Sequence, residues 1–109
     1  MTQSAQASAA QLIRSDELWE GEHRVIRVGQ LPVIVLRVRG EVVAFVDRCA
    51  HLGASLQDAH FAEEVLECSK HGWRYSALTG RGLNPAHVSL TKVPVEERDG
   101  WIAVGGLGG

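Results

Sequence analysis

The chain lacks the material for several kinds of protein. No run approaches the ~20 consecutive apolar residues that a helix needs to cross a bilayer. There is no cationic excess either. Eleven Lys and Arg stand against thirteen Asp and Glu, and the net charge is −2. The basic residues are scattered, so nothing suggests a phosphate-tracking surface, and no nucleic-acid partner is expected. Cysteine occurs only twice, as Cys49 and Cys68. In a secreted protein these two would form a disulfide; in a reducing compartment they would be metal ligands, catalytic groups or buried thiols. Residues 1–10, MTQSAQASAA, end in small residues as signal peptides do, but hold no Lys, no Arg and no apolar stretch. They read as part of a flexible lead-in over 1–11, and the expected compartment is the cytoplasm.

What remains is one domain, 12–109, long enough to bury a core without disulfides. Its apolar residues recur at strand rather than helix spacing. After a short turn at Ser15–Leu18, strands are expected over 23–28 (HRVIRV) and 33–39 (VIVLRVR), with a break at Leu31-Pro32. Gly40-Glu41 makes the next turn, and Val42–Val46 continues the meander. Near the C-terminus, Leu90–Val95 and Trp101–Val104 flank Arg98-Asp99-Gly100, and Asp-Gly between apolar runs is a strong hairpin signal.

Between these groups, over about 48–89, strand periodicity fades except around Val65–Cys68. Four of the five histidines and both cysteines lie there. A long irregular segment in a small domain needs a functional reason, and this one reads as an insertion on a β-scaffold. It holds Cys49-Ala50-His51 and Cys68-Ser69-Lys70-His71, a C-x-H and a C-x-x-H pair with sixteen residues between them. Soft thiolates and imidazoles delivered from two loops can converge on a metal. Gly53 and Gly72 follow the two pairs and let backbone amides approach a ligand closely. A structural zinc site also accepts two Cys and two His, although it usually pairs like with like. A cysteine nucleophile would leave the second pair unexplained.

CAHLGA (49–54) and CSKHGW (68–73) resemble the two cluster-binding boxes of Rieske iron–sulfur proteins, and the similarity runs from about Val42 to Val104. The resemblance implies an all-β Rieske fold: an antiparallel β-barrel or sandwich scaffold with an inserted cluster-binding subdomain. It implies one [2Fe–2S] cluster, with Cys49 and Cys68 on one iron and His51 and His71 on the other. It implies no catalytic residues, since no acid–base pair or nucleophile accompanies the ligands. Rieske subunits of cytochrome bc complexes carry an extra cysteine in each box; here those positions are Ala54 and Lys70. With no membrane anchor, the chain resembles instead the soluble ferredoxins of bacterial oxygenases. Thr79–Pro85 and Val93–Glu96 are similar to the ferredoxins of multicomponent toluene monooxygenases; ferredoxins of aromatic-ring dioxygenases share the boxes. The implied partners are a flavin-containing NAD(P)H reductase and a terminal oxygenase, met in transient complexes by a monomer.

Two ferric ions and two sulfides leave a positive core that two thiolates neutralise, while imidazoles add no charge. Rieske potentials accordingly lie at about −150 to +300 mV, against about −400 mV for four-cysteine clusters. In high-potential relatives a serine follows the second His-Gly and a tyrosine lies two residues beyond. Here Trp73 replaces the serine and Tyr75 keeps the hydroxyl, so a potential in the lower part of the range is expected. Leu52, Trp73 and Pro85 are candidates for the apolar shell. Glu63, Glu64 and Glu67 are a candidate acidic docking patch. His23, His60 and His87 read as surface residues.

Overall fold

A computed structural model describes residues 11–49, 55–70 and 72–105. Among these residues, ten short strands form three antiparallel sheets. The middle sheet is the meander of β2 (His23–Val28), β3 (Leu31–Val38) and β4 (Glu41–Val46). A second sheet orders β1 (Gln11–Arg14), β10 (Trp101–Val104) and β9 (Val95–Arg98), with β10 central. A third runs β5 (His60–Ala62), β6 (Val65–Glu67), β7 (Arg74–Ser76) and β8 (Gly82–Asn84) in order. The all-β class read from the sequence is the one observed.

The middle sheet is apolar on both faces because both are covered. Val33, Ile34, Val35 and Leu36 are all fully buried, as expected of a continuous apolar run between two layers. Side chains alternate across a strand. Val33, Val35 and Ala44 therefore join Ile13, Leu18, Val93, Ile102 and Val104 in one core. Ile34, Leu36, Val43 and Phe45 join Leu56, Leu66, Tyr75 and both cysteines in the other. Each fully buried Val, Leu, Ile or Phe contributes about 1.5–3 kcal/mol.

The turns explain most of the register. Arg39-Gly40 and Asp99-Gly100 have positive φ at both positions, the two-residue hairpin geometry that matches strand twist. Glu63-Glu64 adopts the same geometry with no glycine at all, at φ +52° and +67°. That turn carries no sequence signal, and it takes the acidic patch apart. Glu64 is ion-paired with Arg39, and Glu67 with Arg74 at 3.4 Å.

Other expectations shift. Leu31-Pro32 is no break: it lies within β3, and the turn is Gly29-Gln30, with Gly29 at φ +63°. Pro32 pairs with Arg27 and its carbonyl accepts the Asp47 N–H at 2.9 Å. Having no N–H of its own, it stands where the ladder to β4 ends. Leu90–Val95 is not one strand. Thr91 and Val93 bond to Val46 and Ala44 around a single bridge, Phe45 to Lys92, before the chain crosses at Pro94 to begin β9. Gln11, expected in the flexible lead-in, pairs with Val104 in β1. The 48–89 stretch is less irregular than it reads, since it contains the whole third sheet. Its strands have three residues each, and apart from β6, expected around Val65–Cys68, they are too short to show a period.

Arg37 ties the layers together. Its guanidinium makes a two-pronged bond to Glu97 on β9, at 2.7 and 3.1 Å, and donates to the carbonyls of Leu18, Ser15 and Gly40. The hydrogen bonds from Arg37 hold the Glu97 carboxyl below the usual glutamate range, and the pairing raises the guanidinium in turn.

Candidate metal centre

Cys49 follows β4 and Cys68 follows β6, so two sheets each deliver one thiol. Both are 1% exposed, both are free, and both belong to the same apolar core. His51 and His71 lie outside the described residues, as do Leu52 and the rest of 50–54.

Each cysteine has a local device that fixes it. Around Cys68, its N–H donates to the Trp73 carbonyl at 2.8 Å, and Gly72 N–H donates back to the Cys68 carbonyl at 2.9 Å. These bonds extend the β6–β7 pairing and close the turn of the second box. Gly72 takes φ +73°, the left-handed region that glycine enters freely. Around Cys49 the device is Asp47, a buried carboxylate 5% exposed. One oxygen accepts the Ser55 hydroxyl and the other the Leu56 N–H, both at 2.6 Å. Asp47 thus ties the chain just before the first box to the chain just after it. Charged acceptors make the stronger hydrogen bonds, and buried carboxylates need such partners.

Tyr75 completes the described part of the centre. It is fully buried, and its hydroxyl lies 3.2 Å from Cys49 Sγ. Toward a thiolate the hydroxyl donates. Trp73 and Val88 pack half-buried on the same core, and Pro85 is half-buried in the loop after β8. That loop turns tightly because Gly82 admits it: a Cβ there would lie 2.3 Å from the Pro85 carbonyl oxygen and 2.4 Å from that of Val88.

The remaining histidines divide. His60 and His87 are exposed, as expected. His23 is half-buried instead, its Nε2 2.9 Å from the Gln57 carbonyl and its ring edge-on to Phe61 at 6.2 Å. It links β2 to the segment that follows the first box. Asp47 and Ser55 carry no periodic or motif signal in the sequence and are not singled out there; their place on either side of the first box is the one signal that could have found them.

The donor chemistry fits an iron–sulfur cluster. Two free thiols share one apolar, water-excluding core, and a hydroxyl is poised at one of them. The family profile of the Rieske [2Fe-2S] domain matches residues 8–94. The chain belongs to the Rieske [2Fe–2S] family. It carries one [2Fe–2S] cluster, which when bound takes up and releases a single electron. Among known Rieske proteins, it is 36% identical over 91 residues to the ferredoxin component of the alkene monooxygenase system of Xanthobacter autotrophicus, covering 83% of this chain and 75% of that one. It is 37% identical over 84 residues to ferredoxin CarAc of Metapseudomonas resinovorans, covering 76% and 78%. The ferredoxin of carbazole 1,9a-dioxygenase from Nocardioides aromaticivorans superposes with a TM-score of 0.79 at 26% identity, over 87% of this chain and 94% of that one. These relatives are electron carriers rather than catalysts, and this Rieske protein is likewise a carrier.

Proposed function

We propose that this chain is a Rieske ferredoxin of the cytoplasm that passes single electrons from an NAD(P)H-dependent flavin reductase to the terminal oxygenase of a multicomponent hydrocarbon monooxygenase. Cys49 and Cys68 would hold one iron of the cluster, and His51 and His71 the other. The observation that carries the reading is the burial of two free thiols from separate sheets in one apolar core, with the Tyr75 hydroxyl at one of them, Cys49. The chain's own residues exclude water there and supply a hydrogen bond to sulfur, which favours the more negative, reduced state. The segment 48–89 would act as the cluster-binding subdomain, the lead-in would stop at residue 10 because Gln11 belongs to β1, and the carrier would work as a monomer in transient complexes.

The monooxygenase assignment is supported by the alkene monooxygenase relative and by the resemblance of 79–85 and 93–96 to toluene monooxygenase ferredoxins, which points to an aromatic hydrocarbon substrate. A second reading is the ferredoxin of an aromatic-ring dioxygenase. A 36% identity over 88 residues to the 3-phenylpropionate/cinnamic acid dioxygenase ferredoxin subunit of Escherichia coli favours it.

The test is reconstitution. The purified red-brown protein is reduced, then mixed with a diiron monooxygenase or a Rieske dioxygenase, and hydrocarbon oxidation is measured. Turnover with the monooxygenase is expected; turnover with the dioxygenase alone would select the second reading. His71→Ala should lose the visible absorbance, and a variant that kept it would remove His71 from the ligand set.

A further inference from the structure

A groove of about 590 Å³ runs along the flank of the first cysteine box. Ile26 and Pro32 supply apolar lining, Ser55 and Gln57 line it from the segment after the box, and Arg27 and Arg48 bring two cations to it. Arg27 is opposite Pro32, whose carbonyl receives the Asp47 N–H, so Arg27 and the 47–48 corner lie on one row across the sheet.

The charges in this groove are unbalanced. Six of the chain's arginines, at 14, 24, 37, 39, 74 and 98, are already in ion pairs. Among the described residues no carboxylate oxygen lies within 4 Å of the guanidinium nitrogens of Arg27 or Arg48. Arg27 spends one donor on the Gln30 carbonyl. Asp47 also lines the groove, but its two oxygens are taken by Ser55 and Leu56. Two neighbouring depressions differ, because their cations are matched: Arg24 by Glu17 and Arg39 by Glu64. A guanidinium presents five donors in a fixed fork that suits a carboxylate, and an apolar lining suits the stem that bears it.

We propose that this groove is the docking cleft for an acidic loop of the oxygenase partner, with Arg27 and Arg48 each gripping a carboxylate. The inference rests on the carrier reading and adds to it the side from which the partner approaches. Steering then comes from cations beside the first box rather than from the glutamates at 63, 64 and 67, two of which are internally paired.

The test uses the cluster-loaded protein and two probes. Fluorescein-labelled hexaglutamate, followed by anisotropy, reports the groove alone. Kinetics with the oxygenase that the reconstitution selects report docking. R27E/R48E should weaken hexaglutamate binding at least tenfold and raise the KM for the carrier with kcat little changed. The milder R27Q/R48Q should weaken binding at least threefold, and R81E, at another unpaired arginine, less than twofold. Salt should erase the wild-type advantage. Equal hexaglutamate binding by wild type and both double variants would overturn the cleft, as would an unchanged KM in a system that turns over. If the wild-type protein reduced no oxygenase yet bound hexaglutamate through these arginines, the carrier reading would fail and the acidic-segment site would stand.

Discussion

The Tyr75 hydroxyl and the Cys49 sulfur lie 3.2 Å apart in a core closed to solvent. A hydrogen bond to this sulfur strengthens as negative charge accumulates on it, so it favours the reduced cluster. If the gain is ~1 kcal/mol, Tyr75→Phe lowers the potential by roughly 40 mV for a one-electron couple. Redox titration of the two proteins decides this, and equal potentials would assign Tyr75 to packing alone. The wild-type value itself is expected below about +100 mV.

Asp47 predicts a different kind of loss. Asp47→Ala leaves the buried Leu56 N–H without its acceptor and releases Ser55, at a cost of about 2–3 kcal/mol. The effect should be local. Hydrogen exchange should accelerate at 55–57, iron should be lost to a chelator faster, and β10 should keep its protection. Asp47→Asn retains an acceptor for Leu56 and should fall between. Uniform acceleration across the chain would mean that Asp47 supports the whole fold rather than the first box.

Glycine substitutions separate crowding from backbone strain. At Gly82 a Cβ would press on two carbonyl oxygens, whereas at Gly100 it meets open space and only the positive φ of +84° opposes it. Gly100→Ala should cost about 1 kcal/mol. Gly82→Ala should cost clearly more, in the range of overpacking, about 1–3 kcal/mol or above. Urea denaturation of both variants measures the difference, and a Gly82→Ala no worse than Gly100→Ala would mean that the 82–88 loop gives way easily.

The Arg37–Glu97 pair gives a pH dependence of known sign. Glu97 has its folded pKa depressed chiefly by the hydrogen bonds from Arg37. Its contribution is therefore complete above the ordinary glutamate value of about 4.3 and is lost as pH falls through the lower, folded value. The stability gap between wild type and Glu97→Gln should be constant from pH 8 to 5 and close on acidification. A gap of up to about 1 kcal/mol is expected for a pair of this exposure. A gap that persisted at pH 2.5 would trace to packing instead.

The sequence was legible where chemistry forces an unusual residue pattern. The Asp99-Gly100 hairpin and the Cys-His boxes were readable for that reason. Glu63-Glu64 was not, because its backbone is held by the strands on either side and not by a glycine. Of those strands only β6 was signalled, around Val65–Cys68; β5, at three residues, was below the length at which alternation can be seen. Asp47 was invisible for a third reason: its partners are a hydroxyl and a backbone amide that folding alone brings to it. The same blindness made Glu64 and Glu67 look like free surface charge when Arg39 and Arg74 already hold them.

The two faces of β3 have a consequence for how the holoprotein is made. One face belongs to the core that contains both cysteines; the other packs on Leu18, Val93 and the sheet of β1, β10 and β9, in a core with no cysteine. A newly synthesised chain can therefore complete the second core while the first still waits for iron and sulfide. The step that waits on the cluster would then be the closing of one face of a single strand, with the opposite face already in place.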